Sequence, residues 1–327
     1  MSTPQPSAVS LPAWEPAVAL DAPASARLAA GTFKAALPTL AVVRVTGTDA
    51  RTFLHGQFAA DVKGLAAGQS VLSAWCSAQG RVLFLPRICA LDDHFDILVS
   101  RVQTAKFVQR LRMFVLRAQV AITETADCVF GFAAADEAGL PAPGALAATA
   151  DTIVLRSAAT RPRCLVYGTA DAIARAWDAR PEPAAQTAAW TLLDIDDGIP
   201  DFDPALADQL LPQNLNLDAG PGISFTKGCY PGQEVIARLK YRGQVKSRLM
   251  RGTLGPGPDV PPGTKLYAPD DASGKTLGTV IATAPDAAGG RAVLAVVDIE
   301  RGGAAPVALG APGGERLRFA PAPGWPA

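Results

Sequence analysis

Lys227-Gly228-Cys229-Tyr230-Pro231-Gly232-Gln233-Glu234 holds more chemistry per residue than any other stretch of this chain. A thiol stands between Gly228 and Pro231, with an ammonium two positions before it and a carboxylate five after. The glycines let the backbone turn tightly and come close to a partner. A nearby ammonium favours thiolate, the reactive form of cysteine. Ile223-Ser224-Phe225 precedes the run, and Val235-Ile236-Ala237-Arg238-Leu239 follows it with apolar periodicity. The segment reads as a rigid loop between two ordered elements, the usual support for a working residue. The plainer reading of an unpaired cysteine is a small buried hydrophobe. Glycines, a charged neighbour and a proline do not make the core strand that this reading needs.

Outward from the loop the chain alternates between strand and helix patterns. Residues 40–45 predict a strand ended by Thr46-Gly47-Thr48-Asp49, where Thr48 or Asp49 can cap a helix over residues 50–58. Residues 71–76 and 81–89 predict a hairpin about the turn Ala78-Gln79-Gly80. A strand follows at 95–99, then a helix over 103–116 with apolar positions 107, 108, 111, 114 and 115, then a strand at 120–123. Strand–helix–strand–strand–helix–strand is the order of a split βαβ unit. A second round spans 129–195, with strands at 129–132, 152–155 and 164–167, a helix at 170–178 and a surface loop over 133–150. Trp190 is placed at the start of a strand. After residue 244 helical periodicity stops, and short strands at 246–254, 264–268, 275–283 and 292–297 predict a small antiparallel barrel. The expected fold class is therefore α+β, with two ferredoxin-like units and a C-terminal β-barrel. The expected limits are a loosely ordered lead-in over 1–30, an α+β region over 31–244 divided near 125, and the barrel over 245–327.

Composition narrows the function. At 327 residues and 49% hydrophobic, the chain can bury a real core and is not a disordered protein. Thirty basic and thirty acidic side chains cancel, which argues against bulk electrostatic binding of nucleic acid. The five cysteines, at 76, 89, 128, 164 and 229, are odd in number and form no CxxC, as expected in a reducing, cytoplasmic compartment. His55 and His94 are the only histidines, so no metal site is expected. No apolar stretch reaches the ~18 residues of a membrane span, and the N-terminus lacks a secretory pattern. A monomer is expected.

The segment from Gly222 to Glu234, followed by Ala237-Arg238 and Tyr241-Arg242-Gly243, resembles the signature of the YgfZ family. That family is similar to the aminomethyltransferase, or T protein, of glycine cleavage. Further blocks resemble the family in the same order: Val45 to Ala50, Phe53-Leu54-His55-Gly56-Gln57, Ala60-Asp61-Val62, Gln79-Gly80-Arg81-Val82, Asp194-Ile195 with Gly198-Ile199-Pro200, and Leu211 to Leu215. The resemblance implies three domains around a central channel and a tetrahydrofolate site. It also implies a role in maintaining iron–sulfur proteins, and through them tRNA modification, with such proteins or cluster carriers as transient partners.

On the residues, the resemblance implies Cys229 as the reactive group with Lys227 as its electrostatic partner, and a loop shaped by Tyr230, Gln233 and Glu234. Trp190 matches a folate-linked position, a second aromatic position of the family falls at Leu40, and Gln57, Asp61, Arg81 and Arg238 are further candidates. Each of these four also reads as an ordinary solvated or salt-bridged residue. The basic run Tyr241-Arg242-Gly243-Gln244-Val245-Lys246 reads as a strand edge that could hold a folate tail, a protein or an RNA phosphate. In the transferase relatives the turn matching Gln79-Gly80 leads to acidic residues, whereas this chain has Val82-Leu83-Phe84-Leu85. No carboxylate is then expected at the folate nitrogen. Whether the protein is an enzyme stays open: a folate-dependent one-carbon transferase and a non-catalytic scaffold for an iron–sulfur carrier are the two alternatives.

Overall fold

The computed structural model describes residues 31–157, 160–269, 274–303 and 305–323. The lead-in expected over residues 1–30 lies outside them. The first sheet has five antiparallel strands, in the order Gln69–Leu72, Arg87–Ala90, Phe95–Ser100, Leu40–Thr46 and Ala121–Glu124. Helices α1 (Ala50–Gln57) and α2 (Thr104–Met113) belong to this unit. Asp49 precedes α1, but its carboxylate does not cap it; Oδ2 accepts from the Gln119 amide at 2.7 Å and ties the next strand down instead.

The hairpin expected over 71–89 divides in two. Its base joins the first sheet, and its tip, Trp75–Cys76 paired with Val82–Phe84, leaves as a separate ribbon. Pro86 has no amide to give a ladder, and the chain bends there and at Ser73. The Ser73 amide donates to the Pro86 carbonyl at 3.0 Å, while its buried hydroxyl donates to Gly222 O at 3.0 Å and accepts from the Ala60 amide at 2.9 Å. One face of the tip is anchored by aromatic rings: Trp75 lies 5.4 Å from Phe84 and 5.5 Å from Phe107 of α2. The other face, Cys76 and Val82, enters a different core.

The second sheet runs Leu146–Ala148, Thr152–Arg156, Arg163–Gly168, Cys128–Ala133, Phe33–Ala36 and Ala184–Ala185. Its fifth strand comes from the beginning of the described chain, so the two α+β units are interwoven. Helices α3 (Ala170–Ala179) and α4 (Thr187–Asp197) follow in this unit. Trp190, expected at a strand start, lies inside α4. Gly131 makes room for it: a Cβ there would stand 2.4 Å from the indole ring.

The barrel has seven strands, in the order Arg316–Leu317, Val307–Leu309, Lys265–Tyr267, Thr276–Pro285, Arg291–Asp298, Ser247–Leu254 and Phe319–Pro321. The two ends of that order are consecutive in the chain, so the sheet nearly closes. The basic run near 241 is not a strand edge. Helix α5 (Gln233–Arg242) continues to Arg242, and the strand begins only at Ser247. Gly243 ends the helix with extended backbone.

One core joins all three parts. It holds Cys76 and Val82 of the tip, Leu192 and Ile195 of α4, Tyr230 and Ile236 of the loop and α5, and Leu249, Ile281 and Leu294 of the barrel. Gly232 sits at its edge with φ +81°, and a Cβ there would lie 2.4 Å from Gly80 Cα. Gly232→Ala is expected to cost about 2 kcal/mol or more, since it combines left-handed backbone with a clash against main chain. Gly228 has nothing within 4 Å of its would-be Cβ, so Gly228→Ala should stay within about 0.5 kcal/mol. Urea unfolding of the two variants measures the difference.

Candidate functional site

The Cys loop is gripped from one side by the first unit. The Ser224 amide donates to Ala59 O at 2.8 Å. Lys227 Nζ donates to the carbonyls of His55, Phe58 (2.6 Å) and Ala60 (3.0 Å). These carbonyls lie at and just past the C-terminal end of α1, where unpaired helix carbonyls carry partial negative charge. The ammonium also lies 4.8 Å from the Tyr230 ring centroid. Burial pulls Lys227 down to about 8, with Asp61 opposing. Whatever Lys227 does for the thiol, its ammonium donates to three carbonyls of the first unit and so anchors the loop. Beyond it Gly232 rests on Gly80, whose own φ is +75°. Loop and hairpin turn therefore meet glycine against glycine.

Between these two anchors Cys229 is exposed. The other thiols are withdrawn. Burial pushes Cys76 and Cys89 up to about 12 and Cys164 to about 11, and it raises half-buried Cys128 as well. Tyr230, next to Cys229, is buried, and burial raises its phenol.

A cavity opens between the two sheets and α4. Its walls include Leu40, Leu85, Leu98 and Trp190, with Arg87 and Asp194 among its polar groups. A second cavity shares Leu72, Arg87, Ser157, Ile199 and Pro200 with the first and continues past Gly222 to Pro323. The two measure about 110 and 450 Å³, so the first is small and the second alone falls in the range of small-molecule sites, ~300–1,000 Å³. Arg163 is fully buried beneath the first. Its Nη1 is 2.8 Å from Asp194 Oδ1, its Nε is 2.8 Å from Asp197 Oδ2, and its guanidinium carbon is 4.8 Å from the Trp190 ring centroid. Asp194 is raised to about 6 because burial outweighs the pull of Arg163.

Comparison with known proteins bears on both regions. No family model matches the chain. It is 34% identical over 270 residues to the tRNA-modifying protein YgfZ of Edwardsiella ictaluri, covering 78% of this chain and 81% of that protein. It is 32% identical over 256 residues to the tRNA-modifying protein YgfZ of Klebsiella pneumoniae, covering 74% and 78%. The chain belongs to the YgfZ family. Its fold is that of the glycine cleavage system aminomethyltransferase T of Bartonella henselae, with a TM-score of 0.71 at 13% identity over 93% of this chain and 90% of that one.

The residues singled out in this YgfZ-family sequence fall into separate places. Lys227, Cys229 and Tyr230 form the loop, and Asp61 acts on Lys227 from the turn after α1. Asp61 Oδ1 also accepts from the Gly64 amide at 3.0 Å and lies 3.2 Å from His55 Nδ1. Gln57 ends α1 with Oε1 buried and unpartnered among the described residues. Arg81 is exposed and donates to Gln209 O, a contact that ties the hairpin turn to the chain before the loop. Glu234 and Arg238 lie on the exposed face of α5. Of the candidates, Trp190 alone lines the first cavity, with Leu40 also in its wall. Phe84 and Leu85 line it too, as apolar groups, but the cavity is not without a carboxylate: Asp194 comes in from α4. In the sequence Asp194 stood only within a family block; its place four positions, one helical turn, after Trp190 was hidden by placing Trp190 at a strand.

The exposure pattern sets a chemical test. Limiting iodoacetamide followed by peptide mapping should label Cys229 first, with Cys76, Cys89 and Cys164 reacting only after denaturation. First labelling at any of those three would contradict the burial described here.

Proposed function

We propose that this YgfZ-family chain binds tetrahydrofolate in the cavity beside Trp190 and acts through Cys229 in the assembly or repair of iron–sulfur proteins. The observation that carries the reading is the pairing of a Trp-walled cavity with a single exposed thiol on a loop fixed at both ends. Folate has a flat pterin and an anionic tail. A site for it needs an apolar slot and a few fixed polar groups, and Leu40, Leu98 and Trp190 with Arg87 and Asp194 are groups of that kind.

The thiol works as a nucleophile or as a transient iron ligand. Clusters are held by four protein ligands, and among the described residues no three Cys, His, Asp or Glu side chains gather into a metal site. One thiol therefore suits handling of a partner's cluster rather than storage. The relatives named above are tRNA-modifying proteins; on this reading, modification depends on iron–sulfur enzymes that the protein keeps active. Its client is a cluster-carrying protein met transiently, and its compartment is the cytoplasm. Among the described residues no helix is long and apolar enough to cross a membrane.

The second reading is a folate-dependent one-carbon transferase. Asp194 favours it, because it returns a carboxylate to the cavity that Phe84 and Leu85 leave apolar.

Calorimetric titration with tetrahydrofolate tests the first half of the proposal. Trp190→Phe, which keeps most of the packing, should weaken binding about tenfold, or 1.4 kcal/mol. No heat at millimolar ligand would remove folate from the reading. Complementation of a strain lacking its own family member tests the second half. Cys229→Ser should melt like the parent, because the site is exposed, yet fail to restore iron–sulfur enzyme activity. Full rescue by that variant would make the protein a binding scaffold.

A further inference from the structure

Trp190 and Asp194 stand one turn apart on α4 and both reach the first cavity. A single buried guanidinium holds them. Arg163 lies under the Trp190 ring at 4.8 Å and meets Asp194 Oδ1 at 2.8 Å. Arg163 is itself held from the other side by Asp197 at 2.8 Å, whose Oδ1 accepts from Thr160 and Arg161. The carboxylate of Asp194 is thus ion-paired through Oδ1 to a buried guanidinium. Its side chain is 22% exposed and lines the cavity. An indole with a carboxylate acceptor beside it suits a planar heterocycle with adjacent N–H donors. Apolar Leu40, Leu98 and Leu85 make the rest of the wall.

We infer that Asp194 is the specificity-determining acceptor of this cavity, taking hydrogen bonds from the ring N–H and 2-amino group of a 2-amino-4-oxopyrimidine edge. The inference rests on the tetrahydrofolate reading and names the atom that would distinguish a pterin from other flat rings. The same edge occurs in guanine, so the chemistry has two sources: a reduced pterin or a purine nucleoside. An ionised carboxylate accepts such paired donors with charge assistance, whereas a carboxamide or a protonated acid presents a donor to a donor. A site built around that pairing should discriminate strongly against a ring lacking the amino group.

Asp194 titrates near 6, with Arg163, Arg87 and Asp201 as the charged groups facing it. Burial lowers Arg87 and raises Asp201 as well. Binding that uses the carboxylate should thus be constant above about pH 7 and weaken as pH falls through about 6.

The test is titration of the full chain with tetrahydrofolate, tetrahydropterin, guanosine and a 2-desamino-2-methyl folate analogue, in wild type and in Asp194→Asn. Wild type should prefer the 2-amino ligand at least tenfold and lose affinity below pH 6. Asp194→Asn should bind tetrahydrofolate 10- to 100-fold more weakly, show no preference for the 2-amino group, and lose the pH dependence. Buried Arg163 keeps Asp197 but loses one of its two carboxylates in this variant, so its melting temperature should fall below the parent's. Should the variant not fold, the wild-type preference and pH profile decide. A wild type that binds tetrahydrofolate with no 2-amino preference, or a variant that keeps the preference, overturns the role of Asp194 while leaving the folate reading intact. Wild type that binds no pterin overturns both, and guanosine bound more tightly than tetrahydropterin overturns the pterin as the source.

Discussion

The Lys227 ammonium, sunk among the carbonyls of His55, Phe58 and Ala60, fixes how the parts of this protein relate. A buried cation needs partners that offset its lost hydration, and the end of α1 supplies carbonyls with no helical amide to pair with. The chain entering the Cys loop is thereby locked to the first unit. Five residues after Lys227, Gly232 closes onto Gly80 with no space for a side chain of its own. From there α5 leads directly into the barrel strand Ser247–Leu254. The loop thereby fixes where α5 starts against the first unit.

The same arrangement divides labour among the cysteines. Four of them pack in or beside cores as small apolar groups, and burial raises each. Cys229 is outside because the residues on both sides of it point inward: Lys227 into the carbonyl cluster and Tyr230 into the core shared by all three parts. A tight loop cannot bury every side chain, and the one left out is the thiol.

The cavity depends on a second buried cation. Arg163 ties the second sheet to α4 through Asp194 and Asp197, and nearby Arg161 and Arg251 both reach Asp196, which carries the tie on to the barrel. Breaking such a pair leaves an uncompensated charge and is costly. Loop and cavity meet through apolar packing: Leu72, Leu85 and Phe202 line the cavity and pack against the core that holds Tyr230. A change at one is mechanically next to the other.

The sequence by itself determined what depends on neighbours along the chain. Alternation and turn residues gave the strands at Leu40–Thr46, Phe95–Ser100 and Arg163–Gly168 and the change to barrel texture after residue 244. Loop composition identified Cys229 as the thiol that stands apart, and the ordered blocks gave the family. Tertiary structure decided everything that depends on which surfaces meet. The hairpin split because Ser73 finds Ala60 and Gly222 in space, far from it in sequence. Lys227 found the carbonyls of His55, Phe58 and Ala60, 167 to 172 positions away in the chain. The helix runs on through Tyr241 and Arg242 because Ile236 is buried in the shared core and its carbonyl is held by Gln213 at 2.8 Å, and packing of one face outweighs weak local propensity. Asp194 entered the site only through α4 and Arg163. Charge pairing across 31 positions leaves no periodic trace in the sequence, which is why the carboxylate of the cavity could be seen only in the folded chain.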